Sequence, residues 1–97
     1  MARHYAPRVP LFVRTAKQIT KERALGDAVI TRTDRGGAPN TIALPADPHG
    51  YAAGLYAAMR EADSLPGVTR ILVEEPPHGA RWDAIHDRLR RASATAL

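Results

Sequence analysis

Apolar and polar positions switch between two periods along this chain. "VPLFVR" at 9–14 is a short apolar run behind Pro10 and predicts a strand. "TAKQ" comes next, with Thr15 and Gln18 at the spacing of a capping box, so a helix is expected to open there. Gly26, able to take a left-handed conformation, is expected to stop it after about Leu25, with Ala16, Ile19 and the stem of Arg23 on its inner face. The β-branched stretch "DAVITRT" (27–33) predicts a second strand, "DRGGAPN" a turn, and "TIALP" (41–45) a short third strand ended by Pro45.

The next segment gives the strongest helical signal. Asp47 suits an N-cap and Pro48 the first helical position. Tyr51, Leu55, Ala58, Met59 and Ala62 then recur at three- and four-residue spacing as one apolar stripe. Gly50 and Gly54 weaken such a helix by up to ~1 kcal/mol each relative to alanine, for which close packing on a sheet is one explanation. After Pro66-Gly67, "TRILVEE" (69–75) reads as a strand buried on both faces and stopped by Pro76-Pro77. A last helix is expected over about 80–92, with Trp82, Ile85 and Leu89 inward and Arg81, Arg88, Arg90 and Arg91 outward. The order is β-α-β-β-α-β-α. It predicts one small α/β domain of three layers, with a mostly parallel sheet and helices on both faces.

Composition narrows the function classes. The 97 residues suffice for one small domain, and 44% hydrophobic with 25% charged residues is an ordinary globular balance. With no cysteine there can be no disulfide framework, thiol catalysis or thiolate zinc site. No apolar run approaches the roughly 20 residues that span a bilayer, and no secretion signal is visible, so a cytoplasmic location away from membranes is expected. The net charge of +4 is unevenly placed: residues 1–35 hold eight Lys/Arg and three acids, residues 36–97 six and seven. A basic first third can face phosphate in tRNA or a nucleotide, or it can be a solvated arginine-rich surface.

In an open α/β sheet, ligands usually bind beyond the carboxyl ends of the strands. Asp34, Asp47, Glu74, Glu75 and His78 fall near those ends, and Asp34, Glu74 and His78 form the candidate ligand edge, since a carboxylate and a histidine there can do acid–base work. Each has a plainer role as well: Asp47 as a helix cap, Asp34 as a turn opener, Glu74 and Glu75 as a solvated strand end. His4, His49, His78 and His86 match no zinc spacing, so no metal site is assigned. Gly36-Gly37 makes no dinucleotide fingerprint, and neither a phosphate-binding loop nor a nucleophile elbow is present; no catalytic residue is assigned. Tyr51, Tyr56 and Trp82 lie at core-like spacing and are expected to pack rather than stack bases. The first eight residues carry no periodicity and read as an extended arm. Its His4 and Tyr5 offer one titratable ring and one hydroxyl, and Pro7 stiffens the backbone beside them.

"RHYAPRVPL" resembles the interdomain junction of the long, two-domain form of threonylcarbamoyl-AMP synthase. There a YrdC-like catalytic domain is followed by a linker of the type S-P-G-M-x-x-x-H-Y-A-P and then a small C-terminal domain. The stretch from Leu44 onward is similar to that domain in its "YA..LY..MRE.D" helix, "RILVE.PP" strand and "W.A..DRL.RA" helix. The resemblance covers nearly the whole chain, less closely over "TKERALGDAVITRTDRGGAPN", and Glu75 stands where small residues are common in the family. It implies a residual linker arm at 1–8 and a Rossmann-like C-terminal accessory domain at 9–97. The family's enzyme joins L-threonine, bicarbonate and ATP into threonylcarbamoyl-AMP and pyrophosphate, for threonylcarbamoyl-adenosine formation in tRNA. The linker is thought to close over the catalytic pocket, so Arg3, His4, Tyr5, Ala6 and Pro7 match its end and would face a YrdC-like partner. The S-P-G-M portion and the catalytic domain do not match anything in these residues. The implied reading is therefore an accessory domain, not catalytic by itself, with no bound cofactor assigned; it fits a truncated or split gene whose catalytic domain acts in trans. A free-standing tRNA or nucleotide-binding module and a small independent enzyme at the sheet's carboxyl edge are the alternatives.

Overall fold

The computed structural model describes residues 6–33 and 38–93. Its elements are β1 (Leu11–Arg14), α1 (Ala16–Glu22), β2 (Asp27–Thr31), β3 (Thr41–Ala43), α2 (Pro48–Ser64), β4 (Arg70–Glu74), a 3-10 turn at Ala80–Trp82 and α3 (Asp83–Ala92). The four strands form a parallel sheet in the order β1-β4-β2-β3, so the last strand lies between the first two. The predicted α/β class holds, and every strand pair is parallel.

Period-2 alternation divides the sheet's side chains between two unequal layers. Leu11, Ala28, Ile30, Ile71 and Val73 face one side. There they meet Tyr51, Leu55, Ala58, Met59 and Ala62 of α2 and Ile85, Leu89 and Ala92 of α3. Phe12, Val29 and Leu72 face the other side, where Ile19 of α1 covers them. Helices therefore lie on both faces, but the α2–α3 side carries most of the core. Each large side chain buried there contributes about 1.5–3 kcal/mol.

Local chemistry explains the element ends. Thr15 Oγ1 accepts the Gln18 amide at 3.1 Å while Gln18 Oε1 accepts the Thr15 amide at 2.9 Å, the predicted capping box. Asp47 Oδ2 accepts the Gly50 amide at 2.7 Å, with Pro48 opening α2 as expected. The helix α1 stops at Glu22, short of Leu25. Arg23 leaves helical geometry (ψ 133°), and its guanidinium reaches the Pro39 carbonyl and Thr41 Oγ1 across the sheet. Leu25 is fully exposed, so no apolar contact holds another turn, and Gly26 takes its positive φ of 92° in the turn beyond. Of α1's expected inner face, only Ile19 is buried; Ala16 is exposed. Tyr56, expected to pack, is 49% exposed under the guanidinium of Arg60. Trp82 precedes α3 in the 3-10 turn and is buried, edge-on to Tyr51 at 5.5 Å.

The two helical glycines have close neighbours, but not the sheet expected of them. A Cβ on Gly54 would lie 2.8 Å from Leu44 Cδ2, and one on Gly50 2.8 Å from Pro45 Cβ. The contact is with the β3–α2 connection rather than the sheet.

Candidate linker-docking site and strand-end cavity

The arm meets the domain at Asp63, in the last turn of α2. The Arg8 amide donates to both carboxylate oxygens, at 3.1 and 3.0 Å, and the Val9 amide to Oδ1 at 3.3 Å. Arg8 Nη2 donates to the Asp63 carbonyl at 2.8 Å, and its Nε lies 3.5 Å from Oδ2. A carboxylate at a helix C-terminus is disfavoured by the helix dipole, and Asp63 is buried as well. Burial pushes its pKa up, yet the two amides and the guanidinium outweigh burial and hold it below the ordinary value. Sequence reasoning did not single out Asp63. The signal was present: it follows Met59 by four residues and Leu55 by eight, which sets an acid on the apolar stripe. Pro7, one residue before this anchor, is half-buried. Arg3, His4 and Tyr5 lie outside the described residues.

Of the candidate edge of Asp34, Glu74 and His78, the two described members, Glu74 and His78, have different hydrogen-bond partners. Asp34 lies outside the described residues. Glu74 is not a solvated strand end: it is 6% exposed and accepts four hydrogen bonds. These come from Thr31 Oγ1 (2.7 Å), the Arg32 amide (2.8 Å), the Thr33 amide (3.1 Å) and Thr33 Oγ1 (2.8 Å). Burial raises its pKa, but these donors prevail and keep it below the ordinary value, so the carboxylate stays ionised. The chain after β2 thus folds back onto Glu74, which is why β2 ends at Thr31. His78 is exposed and keeps different company, donating from Nε2 to Glu75 at 2.9 Å and stacking on His86 with ring centroids 4.5 Å apart. His86 in turn donates to the Pro77 carbonyl at 2.8 Å.

A cavity of about 150 Å³ lies on the α1 side, lined by Ile19, Thr20, Arg23, Val29, Thr31, Thr33, Thr41 and Glu74. On the α2–α3 side of the strand ends, the Arg32 guanidinium lies 5.7 Å from the Trp82 ring centre and donates to the Ala46 carbonyl at 3.3 Å. Arg32 Nε and Tyr51 Oη are both buried with no hydrogen-bond partner among the described residues. Burial first, and then the charge of Glu74, push the Tyr51 hydroxyl's pKa far up.

The described arginines of the basic first third are engaged within the fold. Arg8 holds Asp63, Arg14 pairs with Glu22 at 3.3 Å while lying over the Phe12 ring, and Arg23 and Arg32 donate to backbone carbonyls. Lys17 and Lys21 are exposed on α1. Among the described residues, no helix is long and apolar enough to cross a membrane.

A family model described as threonylcarbamoyl-AMP synthase, C-terminal domain, matches residues 1–94. The chain belongs to that family. No curated protein and no solved structure matched it. The match spans both the Arg8–Val9 segment and the Asp63 that receives it.

Proposed function

We propose that this domain is an accessory unit of threonylcarbamoyl-AMP synthesis, working with a YrdC-like catalytic domain in cis or in trans. The observation that carries this reading is the docking of Arg8 and Val9 on Asp63. It gives the preceding residues a fixed point of departure from a folded domain, as a segment that must reach a neighbouring pocket requires. In this reading Arg3, His4, Tyr5 and Pro7 contact the catalytic domain's pocket, and the partner supplies the site for ATP, L-threonine and bicarbonate. The domain contributes position rather than chemistry: Glu74 is occupied by four donors, and His78 lies apart from it, beside His86. The product serves tRNA modification in the cytoplasm.

Mixing this chain with a YrdC-like catalytic domain and following pyrophosphate release tests the proposal. The expected result is complex formation and a faster reaction, with the gain lost in a His4→Ala/Tyr5→Ala variant. Absence of both binding and any change in rate overturns it. A tRNA-binding module has less support, because the guanidiniums of Arg8, Arg14 and Arg32 donate to protein acceptors.

A further inference from the structure

We propose that the cavity between α1 and the ends of β2 and β4 binds a small zwitterion, an α-amino acid of about the size of glycine or alanine. The inference does not rest on the partner reading above.

Size sets the first limit. The cavity measures about 150 Å³. A cavity of roughly that volume holds a ligand of about six heavy atoms such as benzene, so alanine fits within it. Unlike an apolar void, this one has opposite charges in its wall, with Ile19 and Val29 as an apolar floor.

At the strand end the wall is acceptor-rich. Glu74 Oε1 receives three hydrogen bonds, but Oε2 receives one, from Thr33 Oγ1. An ionised carboxylate offers about four lone-pair sites, two on each oxygen, so Oε2 retains one. The Thr33 hydroxyl has committed its proton to Glu74, so its oxygen also presents a lone pair. Such a pair of acceptors suits an ammonium group and repels an anion.

Towards the other end the wall is a donor. Arg23 uses Nη2 on the Pro39 carbonyl and Thr41 Oγ1, leaving Nε and Nη1 uncommitted, and no carboxylate pairs with it among the described residues. Thr41, which Arg23 grips, lies opposite Val29, two residues before Thr31 on β2. Two residues along a strand are roughly 7 Å. An α-amino acid bridges such an offset with a hydrogen bond of about 3 Å at each end. One negative and one positive group lining the same cavity disfavour either simple ion and favour a ligand carrying both charges.

An amide-detected NMR titration of this chain with glycine and with L-alanine tests the site, with acetate and methylammonium as ligands carrying one charge each. Expected are saturable shifts at Thr20, Thr31, Thr33 and Thr41, with affinity in roughly the millimolar range. Acetate and methylammonium should bind at least about tenfold more weakly, as should L-alanine to Arg23→Gln or to Thr33→Val. The two variants touch opposite ends of the cavity, so misfolding of one leaves the other decisive. The proposal is overturned if no shift saturates or the shifts fall elsewhere in the domain. It is equally overturned if acetate or methylammonium matches L-alanine, or if a folded variant binds as well as the parent.

Discussion

The Asp63 carboxylate receives the Arg8 backbone amide on both of its oxygens, at 3.1 and 3.0 Å, fifty-five residues apart in the chain. Because the donor is main chain, the contact fixes the direction of the backbone itself rather than one rotamer. Asp63→Ala should free the arm and leave two amides without their acceptor, lowering unfolding stability by about 1–3 kcal/mol. Chemical denaturation checks the magnitude. Limited proteolysis checks the location, since new cleavage should fall before Val9 and not in the core.

Three carboxylates make the domain acid-sensitive. Arg70, bonded to both oxygens of Asp27 at 3.0 and 2.6 Å, lowers the Asp27 pKa despite opposing burial. Burial likewise opposes, without cancelling, the downward shifts of Asp63 and Glu74. A carboxylate whose folded pKa lies below its unfolded value of 3.8 (Asp) or 4.5 (Glu) adds stability that is complete above the unfolded value. That stability is lost as pH falls through the folded value. Denaturation midpoints should therefore be flat from neutral pH to about 5 and drop steeply below about 4. Glu74→Gln and Asp63→Asn should each make the acid limb shallower.

The glycines of α2 separate two effects. Alanine improves helix propensity by up to ~1 kcal/mol at either position. At Gly54 the new methyl meets only the mobile end of Leu44, so Gly54→Ala should be near neutral. At Gly50 it meets the Pro45 ring at 2.8 and 3.1 Å and Asp47 Oδ1 at 2.9 Å, part of the carboxylate that caps the helix. Gly50→Ala should cost about 1–3 kcal/mol through overpacking, seen as a lower thermal midpoint.

Tyr51 should tolerate losing its hydroxyl. The ring is fully buried, and Oη has no partner among the described residues. Tyr51→Phe keeps the edge contact with Trp82 and removes an unsatisfied polar atom. Its midpoint of unfolding should match or exceed the parent's. A loss of more than about 1 kcal/mol would show that the hydroxyl is hydrogen-bonded to ordered water.

Local signals were legible and long-range ones were not. Thr15-Gln18, Asp47-Pro48 and the stripe from Tyr51 to Ala62 act within a few helical turns, and each sits where its spacing predicts. The end of α1 was obscured because Gly26 looks like a helix stop, while the chain leaves helical geometry at Arg23, whose side chain reaches Thr41, eighteen residues away. Glu74 read as solvated because its donors come from residues 31–33, which only the strand order brings beside β4. Asp63 offered a sequence signal, an acid on an apolar stripe, but its partners arrive from the other end of the chain.

The strand order has a consequence for synthesis. β4 fills the slot between β1 and β2, so β1 has no neighbour in the sheet until residues 70–74 have been made. Of the described elements, those that precede β4 can supply only a β2–β3 pair, an unpaired β1 and helices with no complete sheet to rest on. The core includes Ile71 and Val73, so it is complete only once β4 is in place. A nascent chain paused before that point exposes Leu11, Phe12 and Val13 to whatever binds unfinished strands.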